Sequence, residues 1–452
     1  MNDNRPSRHG RRRLALVTAA ATAAALSFGT ASAGPASAAV PVADPAGILN
    51  LPAGFSYSVL ATGGETQVTS TESGATFAMP EDFDANIVVP AKRGGGTFLV
   101  TAHELTKPVA GDYQGDLGKP AVEEQATTDD GDSNGWGSVT RLRLAKDGKT
   151  VTKAEVITTG LHNLCAGQKT PWNTFLVNEE FPFVSDPEKR SGWVWEVNPY
   201  TGKATKLTGM GRFSHEQEVR VGKSWYLTDD IGGPSFLYKF VPKKAKDLTA
   251  GKLYGLKYDR ATNKGTWVGP LDAADPRADM AARGIDATVY GFDKAEGLTK
   301  RAGRFVMSES GSKASDPGGI DSPGRVWMFD PTKPGVRGRV LVEGDFTKLS
   351  HPDNIRFTPA GDLLIIEDNG SALTRDPATG KAANGGMNEI YVLPKRASGA
   401  DKLSLFASVP NGGEPTGPAF SRNGKLLYLS VQGDPSRSLA ISGHDWDRRF
   451  RG

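Results

Sequence analysis

A single cysteine and a set of carboxylates stand at matching places along this chain. Cys165, Glu216 and Glu296 lie ten residues ahead of Phe175, Tyr226 and Val306, while Asp353 and Glu414 lie ten and twelve ahead of Leu363 and Leu426. A lone carboxylate is most often a turn cap or a solvated loop group. Five ligand-type residues at equivalent positions point instead to a metal cluster. Gathering carboxylates in one funnel costs several kcal/mol in repulsion and desolvation unless cations neutralise them. Four histidines, His103, His162, His215 and His351, stand within three residues of Glu104, Cys165, Glu216 or Asp353. Each is either a satisfied structural histidine or a group that orients a ligand. Cys165 is the sharpest signal, because a lone thiol in the polar, glycine-containing segment from Leu161 to Gln168 is poorly explained as a small core residue. A soft thiolate among hard carboxylates suits iron or zinc beside calcium.

Elements that recur in step with these residues must position them. Short apolar strands ending in polar or acidic residues run over 97–104, 174–180, 225–230, 304–309, 362–368 and 425–432. Each is followed by a second strand, over 139–144, 193–199, 236–242, 325–331, 389–394 and, most weakly, 438–441. With 55 glycines, 29 prolines and few amphipathic helical patterns, the chain reads as all-β. Six strand-pair units of irregular spacing predict a six-bladed β-propeller with loop insertions, over residues 50–445. The strand over 55–60 is expected to complete the last blade and close the ring. In such a fold the first strand of each blade lines the central channel, so matching positions converge on the axis. The segment 243–290, with few apolar runs, reads as a blade insertion, either covering the funnel or forming a plain surface excursion.

Residues 1–33 read as a cleaved signal peptide: Arg11, Arg12 and Arg13 precede an Ala- and Leu-rich stretch, then Ala31-Ser32-Ala33. The paired arginines suit the twin-arginine export machinery, and residues 34–49 read as a flexible lead-in. The formal charge of +3 owes +4 to that leader (five arginines less Asp3), which leaves −1 on the rest. No basic cluster remains to indicate a nucleic-acid partner, and no later apolar run is long enough to span a membrane as a helix. One cysteine permits no internal disulfide, so an exported chain of this kind must rely on its core, a metal, or both. Walker-type and dinucleotide-binding signatures are absent from the sequence.

The segment Asn163 to Glu180, with its Cys165-Ala166-Gly167, Thr170-Pro171-Trp172 and Glu179-Glu180, resembles the cysteine segment of PhoX-type alkaline phosphatases. Here one extra residue, Leu164, separates the asparagine from the cysteine. Further matches are Gly211 to Glu216, Tyr226 to Asp230, Asp353-Asn354 with Glu367-Asp368, and Glu414 to Ser421. The resemblance implies an exported phosphoester hydrolase, an alkaline phosphatase with possible phosphodiesterase action on a small phosphorylated substrate, built on a six-bladed propeller around Fe3+ and Ca2+. It makes Cys165, Glu216 and Glu296 iron-site candidates, with Asp353, Glu367 and Glu414 on iron or calcium. Glu104, Glu179 or Glu180, and Asp229 or Asp230 would complete the outer part of the site. The ions would polarise the phosphoryl oxygens, stabilise the charge of the transition state and supply the attacking oxygen. Lys294 stands where many relatives carry an arginine two residues before the acid, and it offers a point charge in place of a bidentate grip. A monomer with a secreted or cell-envelope location is expected. Two other readings stay open, a calcium-dependent lactonase-like propeller hydrolase and a non-catalytic secreted calcium-binding propeller.

Overall fold

The computed structural model describes residues 40–91, 95–105, 137–180, 182, 191–312, 322–331, 335–369, 387–410 and 412–450. The expected signal peptide lies outside these residues. Strands dominate, as the turn-rich sequence predicts, and helix is confined to short pieces such as Pro276–Ala282 and Ala287–Tyr290.

Six strands, Phe83–Pro90, Leu164–Lys169, His215–Val221, Ala295–Arg301, Pro352–Phe357 and Glu414–Phe420, follow one another around an axis. Each packs against the next, and the last packs against the first. Every one of them is the edge strand of its sheet. The result is a propeller-like all-β architecture. Four sheets stand alone as blades: three of four strands, and one of six that opens on Phe83–Pro90. The expectation of six separate blades is corrected at the third and fourth units. Strand Lys264–Val268 pairs there with Val336–Glu343, which joins both units into one nine-stranded sheet. The cause lies in the segment read as an insertion: Asp247–Asp259 continues for 13 residues, and its hairpin partner Lys264–Val268 reaches across the rim.

A second correction concerns order within the units. The apolar runs singled out in the sequence form the second strands, Thr97–His103, Phe175–Glu179, Ser224–Asp229, Arg304–Glu309, Leu363–Glu367 and Leu427–Gln432. The strand before each, less apolar and harder to recognise, is the one that lines the axis. The expected closure by the N-terminal strand is present: Ser56–Thr62 pairs antiparallel with Arg437–Ser442 at the outer edge of the last sheet. Residues 40–49, read as a flexible lead-in, are held by that sheet's neighbourhood. Asp44 accepts hydrogen bonds from the amides of Ile48 and Leu49 and from the Tyr57 hydroxyl, and Leu49 is buried.

Apolar residues of period two fill the gaps between neighbouring sheets. Leu364, Ile366 and Ile390 meet Leu427, Leu429 and Ile441, and Ile87 and Val100 meet Val177 and Trp195. This packing holds the inner strands at fixed spacing about the axis. Ile441, fully buried and set between Tyr57 and Leu427 in the sheet, bears on the ring closure directly. Ile441→Ala is expected to destabilise the protein by about 2–5 kcal/mol in denaturant unfolding. A loss below about 1 kcal/mol would mean that closure by the N-terminal strand contributes little.

Candidate metal centre

Each axis-lining strand begins at the same end of the propeller with a potential ligand: Asp84, Cys165, Glu216, Glu296 and Asp353 at its second residue, and Glu414 at its first. Local backbone irregularity aims them. A β-bulge interrupts every one of these strands at or just after the ligand, between Phe83 and Asn86, Cys165 and Gly167, His215 and Glu218, Ala295 and Leu298, Pro352 and Ile355, and Thr416 and Ala419. Bulges of this kind turn a side chain out of the strand's regular alternation. In five of the six strands the residue two before the ligand has positive φ: Asp82, Asn163, Lys294, His351 and Gly412. For a lysine, the value of 59° at Lys294 is strained backbone, held by its setting.

The ligand groups assemble as three triads whose donor atoms lie within 4.8 Å of one another: Asp84 with Glu104 and Cys165, Glu216 with Asp230 and Glu296, and Asp353 with Asp368 and Glu414. The three share one plan. Each takes the inner-strand ligand of one unit, the residue just past that unit's second strand, and the inner-strand ligand of the next unit. Cys165 ties the first triad to the second, since its Sγ lies 2.7 Å from Glu216 Oε2. Glu180, just past the second strand of the Cys165 unit, stands beside this array. Asn163 Nδ2 donates to its carboxylate at 2.6 Å and approaches Glu104 at 3.5 Å.

The sequence therefore locates Cys165, Glu216, Glu296, Asp353, Glu414, Glu104 and Asp230 within the triads and Glu180 beside them. It misses Asp84 and Asp368. Asp84 lies fourteen residues ahead of Phe98, outside the ten-residue rule, because its hairpin is longer. Asp368 was readable from strand alternation, since it follows Glu367 as Asp230 follows Asp229. The same alternation turns Glu179, Asp229 and Glu367 away from the triads. Glu179 accepts from the amides of His162 and Trp193, Glu367 accepts from those of Ser350 and Glu389, and Asp229 faces Arg277 at 3.5 Å. The histidines have structural partners too. His103 bridges Glu81 O and Thr140, His215 meets Gly211 O, and His351 meets Ser310 O. Burial pushes His103 down to about 4 and His215 to about 3, so both are neutral at pH 7.

Burial and then mutual repulsion push the carboxyls of Asp84, Glu180, Glu216, Glu296 and Glu414, and the Cys165 thiol, well above their ordinary values. The repulsion crosses triads, for Glu216 feels Asp353 and Asp84, and Glu414 feels Glu104. Lys294 is the cation that reaches in. Its Nζ lies 3.0 Å from Glu296 and 3.3 Å from Asp230, and although burial opposes its charge, those carboxylates hold it protonated. One ammonium cannot balance the array. Glu216 Oε1 is buried without a hydrogen-bond partner, which in a carboxylate that is 1% exposed fits a missing cation. Eight carboxylates and one thiol in three triads are a donor set for hard cations, with one place for a softer one.

The family model for alkaline phosphatase PhoX matches residues 37–434. Among solved structures the chain is similar to Pseudomonas fluorescens PhoX in complex with vanadate, a transition state analogue, at 17% identity and a TM-score of 0.64, over 89% of this chain and 97% of that one. At that identity the likeness speaks to fold. A pyranose dehydrogenase PQQ domain from Coprinopsis cinerea matches at 14% identity and a TM-score of 0.44, over 87% of this chain and 97% of that one. A gluconolactonase from Xanthomonas campestris matches at 11% and 0.40, over 84% and 98%. A search of curated proteins gave no match.

The division of labour between adjacent acids can be checked at Glu179 and Glu180. Glu179→Ala strands two backbone donors and is expected to cost about 1–3 kcal/mol of stability while leaving metal stoichiometry intact. Glu180→Ala should do the reverse. Equal metal loss in both variants, by mass spectrometry, would overturn the assignment.

Proposed function

The chain belongs to the alkaline phosphatase PhoX family and is a phosphoric ester hydrolase, and from that premise we propose that it is an exported enzyme with a mixed iron–calcium centre held by the three triads. The observation that carries the metal reading is Cys165, a thiol set against Glu216 and sharing a triad with Asp84 and Glu104. A cluster meant for calcium alone has no use for sulfur, whereas iron accepts thiolate beside carboxylate. Cys165, Glu216 and Glu296 would therefore serve iron, and Asp353, Asp368 and Glu414 would serve calcium. When bound, the ions would withdraw charge from the phosphoryl oxygens and stabilise the transition state.

The protein's own groups supply position. Lys294 presents an ammonium at the edge of the second triad, anchored by Glu296 and Asp230, where it offers a phosphoryl oxygen a point charge with free rotation. Asn163 fixes Glu180 and Glu104 at the border between the first two units. The substrates are small phosphomonoesters, with phosphodiesters as a second class. Six inner strands about one axis support reading the nine-stranded sheet as two blades fused at the rim, and the propeller as six-bladed. No described helix is long and apolar enough to cross a membrane. The arginines ahead of the Ala-rich stretch in residues 1–33 support twin-arginine export to a secreted or cell-envelope location, and the enzyme acts as a monomer.

Protein purified without chelator is expected to contain iron and calcium by mass spectrometry and to hydrolyse a chromogenic phosphomonoester, with turnover lost on metal removal. Cys165→Ser should lose iron before calcium. Calcium alone with no phosphoester turnover would defeat the proposal and favour a lactone substrate. Lys294→Ala should raise KM about tenfold with a smaller change in kcat, as expected for a lost charged contact to phosphate. Unchanged constants would remove Lys294 from the substrate's surroundings.

A further inference from the structure

Four of the six axis-lining strands that begin on a ligand-type residue carry a base near their far end. Cys165 leads to Lys169, Glu216 to Arg220, Glu296 to Lys300, and Asp353 to Arg356. The members of each pair are three or four positions apart along the strand, which places the basic ends on the order of 10 Å from the triads, at the opposite end of the axis. Lys169, Arg220, Lys300 and Arg356 line one cavity of about 300 Å³ there.

Side chains across the axis close the way between the two ends. Asn86 donates to Gly417 O, Asn354 accepts from the Gly417 amide, and Gln217 donates to Gly167 O. The void left beside them is about 10 Å³, at the lower limit for one water. The basic cavity is thus separate from the triads.

Each cation there is held by a neutral oxygen. Lys169 Nζ donates to Val88 O at 3.0 Å, Lys300 Nζ to Arg220 O, Arg220 Nε to Gly222 O at 3.1 Å, and Arg356 to Gln168 Oε1 at 3.3 Å. Among the described residues none of the four makes an ion pair with a carboxylate. Such crowding of like charge is unfavourable, and burial together with the neighbouring arginines lowers the affinity of Lys169 and Lys300 for their protons. Trp225, fully buried, packs in the cavity wall. Four cations around one space match a tetrahedral oxyanion, which accepts from several directions at once.

We propose that this cavity is a second anion site that takes a phosphate group, either inorganic phosphate or the head of a phosphorylated small molecule whose organic part lies against Trp225 and Phe357. The site is independent of the metal reading, since it shares no residue with the triads.

Equilibrium dialysis of labelled inorganic phosphate against the metal-loaded enzyme tests it. The wild type is expected to bind one phosphate more per chain than the double variant Arg220→Gln/Arg356→Gln, whose phosphomonoester turnover at saturating substrate should match wild type. Should the double variant fail to fold, Lys300→Ala removes one ammonium at the end of its strand and is expected to weaken that additional binding about tenfold, the usual cost of one charge-assisted contact. Phosphate binding that is the same in wild type and in every folded variant would overturn the proposal. Propylphosphonate, which resists hydrolysis, separates the two sources. Displacement of the second phosphate by tenfold less phosphonate than phosphate identifies a phosphorylated organic ligand, and equal or weaker displacement identifies free phosphate.

Discussion

Mutual repulsion among acids around one axis is the constraint on which the rest of this structure depends. Nine ligand groups drawn from six units are forced within a few ångströms of their neighbours, so the carboxyls of Asp84, Glu216, Glu296 and Glu414 resist ionising beside the other charges. Nothing local favours that arrangement. It is imposed by apolar packing between sheets, which fixes the inner strands, and by bulges and left-handed residues that turn the side chains inward. The protein thus spends core stability on holding a field that only cations can relax. This is the reverse of a buried ion pair, which carries its own compensation. The ammonium of Lys294, set against Glu296 and Asp230, is too little charge for the array.

The triads also give the propeller a symmetry that its strand count hides. Units pair off, two to a triad, and the odd and even members play different parts: one contributes both an inner-strand ligand and a strand-end ligand, the other an inner-strand ligand alone. The strand-end positions of the even units hold Glu180, Ser310 and Gly433 in place of a triad member. A site built this way has three similar compartments that need not hold the same ion. Cys165 makes the first of them different from the other two.

Much of this was legible in the sequence because strand-to-strand spacing is kept wherever hairpins are short. Cys165, Glu216, Glu296 and Asp353 share a ten-residue offset, and that offset survives as a common place on the inner strand. Asp84 escaped since its hairpin is longer, and Asp368 escaped because two adjacent acids at a strand end face opposite ways. Sequence order gives both acids and does not say which one faces the axis. The blade count was obscured for a different reason. Apolar alternation reports that a strand is buried, while hydrogen bonding between Lys264–Val268 and Val336–Glu343 links two rims through residues with little apolar character. The inner strands themselves were hard to see, since glycines, asparagines and charged groups near the axis break the pattern that marked their partners.

Closure of the last sheet by the first strand has a consequence in time. Ser56 and Ser442 touch across the final sheet although 386 residues separate them. A ribosome adding residues at about 5–20 per second delivers the closing strand some tens of seconds after its partner. Until then the ring is open, and Ser56–Thr62 waits with both of its edges unpaired. Contacts so distant along the chain slow folding, since their entropic cost falls due before they reward it. The native ring is therefore a product of the finished chain, and any process that must act on it unfolded has the whole period of synthesis in which to do so.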